Sequence, residues 1–203
     1  MTKLLSIALH SPEPEAATAF YSAFLGPDAP ISVRAGDEAT SGFRGFTLSL
    51  VVGQPGNVDL LLDAAVQAGA RVIKPAAKSF WGYGGVLQAP DGAIWKAATS
   101  TKKDSGPATR DVDEFALLLG CSDVKATKQF YVDQGLSVEK SYGSKYVQFD
   151  GGGSAVTLGL YGRKALAKDA GVPMDGDGSR RFTVLTDGAS FTDPDGFTWE
   201  PAS

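Results

Sequence analysis

A seven-residue pattern, a turn followed by an apolar strand, occurs twice in this 203-residue chain. The first copy runs through 90–96 (PDGAIWK) and the second through 194–200 (PDGFTWE). Upstream of each copy lies a helix-like segment with a Phe-Tyr pair, at 16–26 and at 126–135. Two matched pairs in the same order indicate an internal duplication. We therefore expect the function to reside in a pocket that the duplicated units build together.

The composition is that of a globular protein with an acidic balance. Hydrophobic residues make up 43% of the chain and charged residues 21%, as in chains that fold around a core. The formal net charge is -4, and basic residues cluster no further than dipeptides such as Lys102-Lys103 and Arg180-Arg181. Since nucleic-acid binding needs a basic surface, no nucleic-acid partner is expected.

Residue usage also bounds the location and the chemistry of the chain. No apolar run reaches membrane-spanning length and the N-terminal segment lacks a signal-peptide core, so we expect a cytoplasmic protein with no membrane partner. Cys121 is the only cysteine and His10 the only histidine, which excludes disulfides and Cys/His zinc sites within one chain. Cys121 has no histidine partner for a nucleophilic dyad and is expected to be a small buried residue.

Hydrophobic periodicity predicts alternating strands and helices along both halves. Asn57 is the predicted cap of the second helix, and Ser122 or Asp123 that of the third. The predicted helices are 12–26, 58–68, 124–133 and 164–170. The predicted strands are 4–9, 31–34, 43–52, 71–73, 83–88, 93–98, 115–119, 138–142, 146–149, 155–161, 181–186 and 197–200.

The duplication predicts two sets of modules, 1–99 and 112–203, joined by a polar linker at 100–111. The copies are not equally complete: the first lacks a hairpin after its first helix, and the second lacks the second helix and the strands that follow it. Incomplete half-barrels would leave sheet edges open. We therefore expect the two sets to pack together as one compact unit.

Several of these motifs, in this order, resemble the vicinal oxygen chelate superfamily, also called the glyoxalase/bleomycin-resistance/dioxygenase superfamily. The motifs are the strand and helix at 4–26 with Phe-Tyr and Leu-Gly, the run 58–70 with Lys74-Pro75, the glycine-rich loop 80–85, and both Pro-Asp-Gly turns. The resemblance implies an α+β fold in which tandem βαβββ modules form curved mixed sheets, a cup, with helices packed outside.

In metal-using members a cation lies in that cup, held near the start of the first strand and the end of the last strand of each module. Carried over by the motifs, these positions are Ser6, Phe46, Ala116, Phe182, Lys96 and Glu200. A divalent metal needs about three converging donor side chains, and only Glu200 is one that could bind a cation. No metal and no other cofactor are therefore expected, and the metal-dependent activities are not carried over.

Strand alternation assigns side chains to the two faces of each strand. It turns Ser6, Ala8 and His10 toward the cup, and Leu5, Ile7 and Leu9 toward the helices. It also turns Lys96 and Glu200 inward and Trp95 and Trp199 into the core, where large aromatic residues dominate burial. His10 is either a solvent-exposed residue at the lip of the cup or a functional one. Lone buried charges are costly, so Glu200 and Lys96 are each expected to find a partner.

The leading hypothesis is a metal-free protein that binds a small organic molecule, aromatic or polycyclic, in the cup. Trp81 and Tyr83 lie in the glycine-rich loop, where aromatic rings either line a pocket mouth or fold onto the core. The expected ligand contacts are Trp81, Tyr83, Phe46, Tyr146, Lys96, Glu200 and Ser6.

Two other hypotheses remain open. One is a metal-independent lyase or isomerase in which Glu200 acts with His10 or Lys96, which requires titratable groups that converge on one cavity. The other is a non-catalytic module whose cup is filled by the chain's own side chains. A monomer is favoured because the duplication supplies an internal partner, and a homodimer is not excluded.

Overall fold

The computed structural model describes residues 2–202, and Met1 and Ser203, the outer bounds of the two predicted halves, lie outside the described residues. The helices are α1 Pro14–Leu25, α2 Pro55–Gln67, α3 Val124–Asp133 and α4 Arg163–Ala170. The strands are β1 Leu4–Ser11, β2 Ile31–Ala35, β3 Thr40–Gly42, β4 Phe46–Val51, β5 Arg71–Ser79, β6 Gly82–Gln88, β7 Ile94–Thr99, β8 Glu114–Cys121, β9 Val138–Ser141, β10 Tyr146–Phe149, β11 Thr157–Gly162, β12 Gly176–Gly178, β13 Phe182–Thr186, β14 Phe191–Thr192 and β15 Thr198–Pro201.

The fold is α+β, with strands arranged in two large mixed sheets. One sheet has eight strands in the order β5-β6-β7-β4-β8-β11-β10-β9, and the other has five in the order β14-β15-β13-β1-β2. The short strands β3 and β12 pair separately. Each large sheet takes strands from both halves of the chain: β4 lies antiparallel to β8, and β1 lies antiparallel to β13.

The eight-stranded sheet consists of two complete βαβββ units, β4-α2-β5-β6-β7 and β8-α3-β9-β10-β11. The five-stranded sheet combines the incomplete pieces, β1-α1-β2 from the start of the chain and β13, β14 and β15 from its end. The two incomplete pieces therefore lie in the same sheet. Pairing β1 with β13 closes the edges that either piece would expose alone.

Aromatic residues from the repeated motifs form the core between the sheets. Trp95 and Trp199 are only 1% and 0% exposed, which confirms that they are core residues. The ring of Tyr21 lies 5.7 Å from that of Trp95, and the ring of Tyr131 lies 5.3 Å from that of Trp199. Tyr21 belongs to the helix that follows β1, whereas Trp95 lies in the eight-stranded sheet, so these contacts join the two sheets.

The observed start of α2 corrects the prediction that Asn57 is its cap. The helix begins at Pro55, a residue suited to the first helical position because that position needs no N–H donor. The buried Asn57 side chain instead accepts a hydrogen bond of 2.9 Å from the backbone N–H of Thr109. It thereby ties the connection between the halves to α2. In α3 the predicted cap Asp123 is confirmed, since its carboxylate accepts from the N–H groups of Lys125 and Ala126.

A β-bulge in β1 corrects the predicted orientation of Leu5. The pairing of β1 with β13 shifts between Leu4 and Ser6, so the alternation slips at this point. Leu4 is 3% exposed and packs in the core, whereas Leu5 is 37% exposed. Past the bulge the expected alternation holds, with Ile7 and Leu9 fully buried in the main core.

Helix α4 lies across the open face of the eight-stranded sheet, the face opposite Trp95. Its buried residues Leu166, Ala167 and Ala170 form a second apolar cluster with Val86 and other residues of that face. The C-terminus of α4 is held by Gly171 in the left-handed region (φ 80), where glycine carries no Cβ penalty. The middle of this face is therefore covered by the chain itself.

Candidate functional site

A groove remains open beside α4, between the β5-β6 hairpin and β7. Its volume is 320 Å³, within the range of small-molecule sites. Gly84 and Ala98 are paired across β6 and β7, and both border the groove. The remaining apolar residues on its border are Pro75, Ala77, Trp81 and Val86.

Lysine side chains hold the C-terminal turn of α4 at one side of this groove. The Lys96 ammonium donates to a carboxylate oxygen of Asp169 at 2.8 Å, and both side chains are partly exposed. The Lys74 ammonium donates to the backbone carbonyls of Lys168 at 3.0 Å and Asp169 at 2.6 Å. Positive charge is favourable at a helix C-terminus, where carbonyl groups lack intrahelical partners. The expectation that Lys96 finds a partner is thus confirmed.

The β5-β6 hairpin carries two exposed aromatic side chains at its tip. Phe80 is 84% exposed and Trp81 is 83% exposed, with ring centroids 5.0 Å apart in an edge-to-face arrangement. Trp81 borders the groove and Phe80 does not. Tyr83 borders the groove as well, but its hydroxyl donates to Asp59 of α2 at 2.8 Å and its ring packs against the main core. Of the two predicted loop aromatics, Trp81 is largely exposed and Tyr83 is half-buried.

Tyr146 lies at the other end of the same sheet, in a cluster of tyrosines. Its ring lies 4.7 Å from that of Tyr161 and 6.2 Å from that of Tyr142, and its hydroxyl donates to Gln148. Burial, with the neighbouring Tyr161, raises the pKa of Tyr146 to about 12, so the phenol stays protonated at neutral pH. Tyr146 is not among the residues that border the groove.

A second cavity, of 430 Å³, lies on the five-stranded sheet and is polar. His10 and Glu200 both border it, although nothing in the sequence places them together. The His10 Nε2 atom lies 3.1 Å from the Thr183 hydroxyl, and Glu200 accepts a 2.9 Å hydrogen bond from Arg34. The structure therefore gives His10 a polar partner and confirms that Glu200 pairs with an arginine. Thr183 is buried, whereas Arg34 and Glu200 are partly exposed.

The electrostatics of this cavity favour a neutral imidazole. Burial lowers the pKa of His10, Glu38 opposes that shift, and Arg34 adds to it. At neutral pH the His10 ring can therefore act as a hydrogen-bond acceptor or a base. The wall of the cavity includes Arg181, whose φ of 52° places a non-glycine residue in the left-handed region.

Comparison with known proteins addresses the fold. No family model and no curated protein matches the chain. Glyoxalase I from Zea mays superposes with a TM-score of 0.62 at 13% identity, over 98% of this chain and 91% of that chain. A candidate dioxygenase from Bacillus subtilis superposes with a TM-score of 0.61 at 12% identity, over 97% of this chain and 83% of that chain. The chain has the glyoxalase fold. At such low identity the likeness shows the fold alone, which is the one that the resemblance implied.

The residues at the positions that the sequence resemblance assigned to metal ligands do not fit a divalent cation. Phe46 and Phe182 are buried against each other, with ring centroids 4.2 Å apart, and Ala116 has no donor atom. Lys96 brings a positive charge, and Glu200 is engaged by Arg34. Within residues 2–202, no group of three or more His, Cys, Asp or Glu side chains is placed to hold a metal ion.

The remaining predicted contacts are not brought to either cavity. Phe46 is 2% exposed and packs between the sheets, on the face opposite Lys96, and it borders neither cavity. Ser6 is half-buried on β1 and borders neither of the two cavities. Lys96 and Glu200 lie on different sheets and share neither cavity.

The sequence reasoning missed the partners of the predicted polar residues: Asp169 for Lys96, Arg34 for Glu200, and Thr183 for His10. The partners of Lys96 and Glu200 come from segments without a recognised motif. Thr183 had a usable signal, because it follows Phe182, one of the positions that the resemblance assigned to the cup.

None of the helices between residues 2 and 202 is long and apolar enough to cross a membrane.

Proposed function

We propose that this protein binds a small organic molecule, with an aromatic or otherwise flat apolar part, in the groove beside α4. The observation that carries the proposal is the exposure of Trp81. The other two tryptophans are 1% and 0% exposed, whereas Trp81 presents 83% of its surface beside a 320 Å³ groove. Trp81 and the neighbouring Phe80 form a contiguous exposed aromatic patch, and such patches often mark binding sites.

The energetics of the groove support this proposal. A flat ligand between Trp81 and the Gly84-Ala98 surface would bury apolar area on both of its faces, and stacking on Trp81 would add about 0.5–1.5 kcal/mol. Glycine at position 84 leaves the strand surface without a side chain in that region. Because α4 already covers the middle of the sheet, the ligand is limited to the side where the hairpin tip lies.

We propose further that binding needs no metal, because the charged groups that border the groove are three lysines and a single carboxylate. The ammonium group of Lys96 would repel a cation, and its partner Asp169 is one carboxylate where about three donors are needed. We also propose that the protein works in the cytoplasm as a monomer. Analytical ultracentrifugation at micromolar concentration tests the monomer, and a stable dimer would contradict it.

The test is a thermal-shift screen of small aromatic compounds against the wild-type protein and three variants, Trp81→Ala, Tyr142→Ala and Tyr146→Ala. A ligand at 100 times its dissociation constant should stabilise the wild type by about 2.7 kcal/mol. Trp81→Ala should lose that shift. Tyr142→Ala, which removes another exposed aromatic residue (64% exposed) directly after β9, should keep it. A shift that Tyr142→Ala or Tyr146→Ala abolishes and Trp81→Ala leaves intact would place the site at the tyrosine cluster and contradict the proposal.

A second candidate function, a metal-independent lyase or isomerase, is favoured by one observation. His10 and Glu200 border the same polar cavity, and the lowered pKa of His10 leaves its ring available as a base. Lys96 is not part of this candidate. The test is exchange of acidic C–H protons of small carbonyl compounds in D₂O, followed by NMR. His10→Gln should abolish any catalysed exchange, and exchange that persists in that variant would contradict the role of His10.

A further inference from the structure

The border of the groove is basic in a chain that is acidic as a whole. Lys74, Lys78 and Lys96 border it, against the single carboxylate of Asp169, which gives a local formal charge of 3 − 1 = +2. The whole chain has 19 basic and 23 acidic residues. Positive charge is therefore concentrated around the groove, although the chain is negative overall. Such a local positive field favours a ligand that carries negative charge.

The structure also shows which group such a ligand would meet. The Lys96 ammonium is paired with Asp169 in an exposed ion pair, and exposed pairs contribute little because water competes for both charges. No carboxylate within residues 2–202 lies in ion-pair distance of Lys78. An anionic ligand that enters beside α4 would therefore meet Lys78, which has no carboxylate partner among the described residues, and Lys96, whose ion pair with Asp169 is weak.

We propose that the ligand of the groove is an organic anion, in which a carboxylate, sulfonate or phosphate is joined to a flat apolar body. This proposal rests on the proposed function, since it assigns a chemical class to the ligand of the same groove. The apolar body stacks on Trp81, and the anionic group binds Lys96 in exchange for the Asp169 carboxylate. Asp169 thus acts as an internal competitor that any anionic ligand must replace.

Two fluorescent probes with the same ring system separate these contributions. Anilinonaphthalene sulfonate carries a negative charge, and phenylnaphthylamine is its neutral counterpart. Wild-type protein should bind the anionic probe about tenfold more tightly than the neutral one, because close opposite charges add to the apolar contact. Adding salt should weaken the binding of the anionic probe and leave that of the neutral probe unchanged.

Three variants test the roles of the charged residues. Lys96→Gln should remove the preference for the anionic probe and leave the affinity for the neutral probe unchanged. Asp169→Ala should strengthen binding of the anionic probe several-fold, because the Lys96 ammonium no longer has a competing partner. Lys140→Gln is the control: Lys140 forms an exposed ion pair with Glu139 on β9, at the far edge of the same sheet, and both probes should bind this variant as they bind the wild type.

The outcomes distinguish the two proposals. If neither probe binds the folded protein, or if Trp81→Ala binds both probes as the wild type does, the proposed function fails. If the neutral probe binds in a Trp81-dependent way but Lys96→Gln and Asp169→Ala leave the anionic probe unaffected, only the anionic class fails. Circular dichroism and thermal unfolding of each variant exclude binding of the probes to partly unfolded protein.

Discussion

The phenol of Tyr21 donates a 2.7 Å hydrogen bond to Asp91, a residue 70 positions further along the chain. This bond joins the Phe-Tyr motif of α1 to the Pro-Asp-Gly turn before β7. In the second copy, Tyr131 donates at 2.7 Å to Asp193, which precedes the turn, and not to Asp195, the counterpart of Asp91. The duplicated motifs therefore use the same two residue types but different positions. Each bond therefore links a helix that connects two strands of one sheet to the turn before a strand of the other sheet.

Removing the Tyr131–Asp193 hydrogen bond should lower the free energy of unfolding more than removing the Tyr21–Asp91 bond. Asp193 is 4% exposed, and burial raises its pKa, whereas Asp91 is only half-buried. Tyr131→Phe would remove the donor of one oxygen of a buried carboxylate, whose other oxygen keeps the backbone N–H groups of Asp195 and Phe197. The expected cost is about 1.5–3 kcal/mol, as for a hydrogen bond to a charged group. Tyr21→Phe should cost less, since water can reach Asp91. Urea unfolding of both variants measures the difference, and an equal or reversed order would contradict it.

Local sequence signals predicted the elements of the fold well. The bounds predicted for α3, 124–133, are the ones observed, because a capping aspartate and a clear apolar periodicity act within a few residues. The strands that were missed, β3, β12 and β14, have only two or three residues. Asn57 was misassigned because its partner Thr109 lies 52 positions away, at a distance where residue type alone carries no information.

The site could be predicted only in part, for the same reason. Alternation placed Lys96 and Glu200 on the open faces of their strands, since orientation follows from strand period alone. Which residues pair with them depends on the positions of α4, which carries Asp169, and β2, which carries Arg34. Those positions follow from the order of strands in the sheets and from the connections between them. No sequence signal indicated that α4 would lie on a sheet face that the glyoxalase resemblance leaves open for a ligand.

The bulge in β1 predicts an unequal pair of leucine substitutions. Leu4→Ala removes a side chain that is 3% exposed and packs in the main core, which should cost about 2–5 kcal/mol. Leu5→Ala removes a side chain that is 37% exposed and should cost less than about 1 kcal/mol. Chemical denaturation of the two variants tests the slip in alternation. A larger cost for Leu5→Ala would mean that β1 alternates without the bulge.

His10 should make stability depend on pH. Burial lowers its pKa in the folded state below the 6.5 of the unfolded chain, so the unfolded state binds more protons in the intervening range. The resulting stabilisation is present above pH 6.5 and is lost as the pH falls through the lowered pKa of the folded state. Glu38 and Glu200 limit the shift, and Arg34 enlarges it.

The comparison of wild type with His10→Gln isolates this effect, because the carboxylates titrate in both proteins. Between pH 8 and pH 5 the unfolding free energy of the wild type should fall relative to that of the variant as the pH falls, because only the wild type loses the contribution of a neutral imidazole. A difference that stays constant, or that grows in favour of the wild type at acidic pH, would show that the histidine is not desolvated.

Leu166 tests whether α4 is a fixed part of the sheet or rests loosely on it. Its side chain is fully buried between α4 and the open face of the eight-stranded sheet, in the apolar cluster that includes Phe43 and Leu118. Leu166→Ala should destabilise the protein by about 2–5 kcal/mol, because a cavity remains where the helix cannot settle further onto a rigid sheet. Lys164→Ala, an exposed position of the same helix, should change stability by less than about 0.5 kcal/mol. If both variants unfold at the wild-type urea concentration, α4 does not pack on the sheet in solution, and the whole open face, rather than the groove at its side, would be available to a ligand.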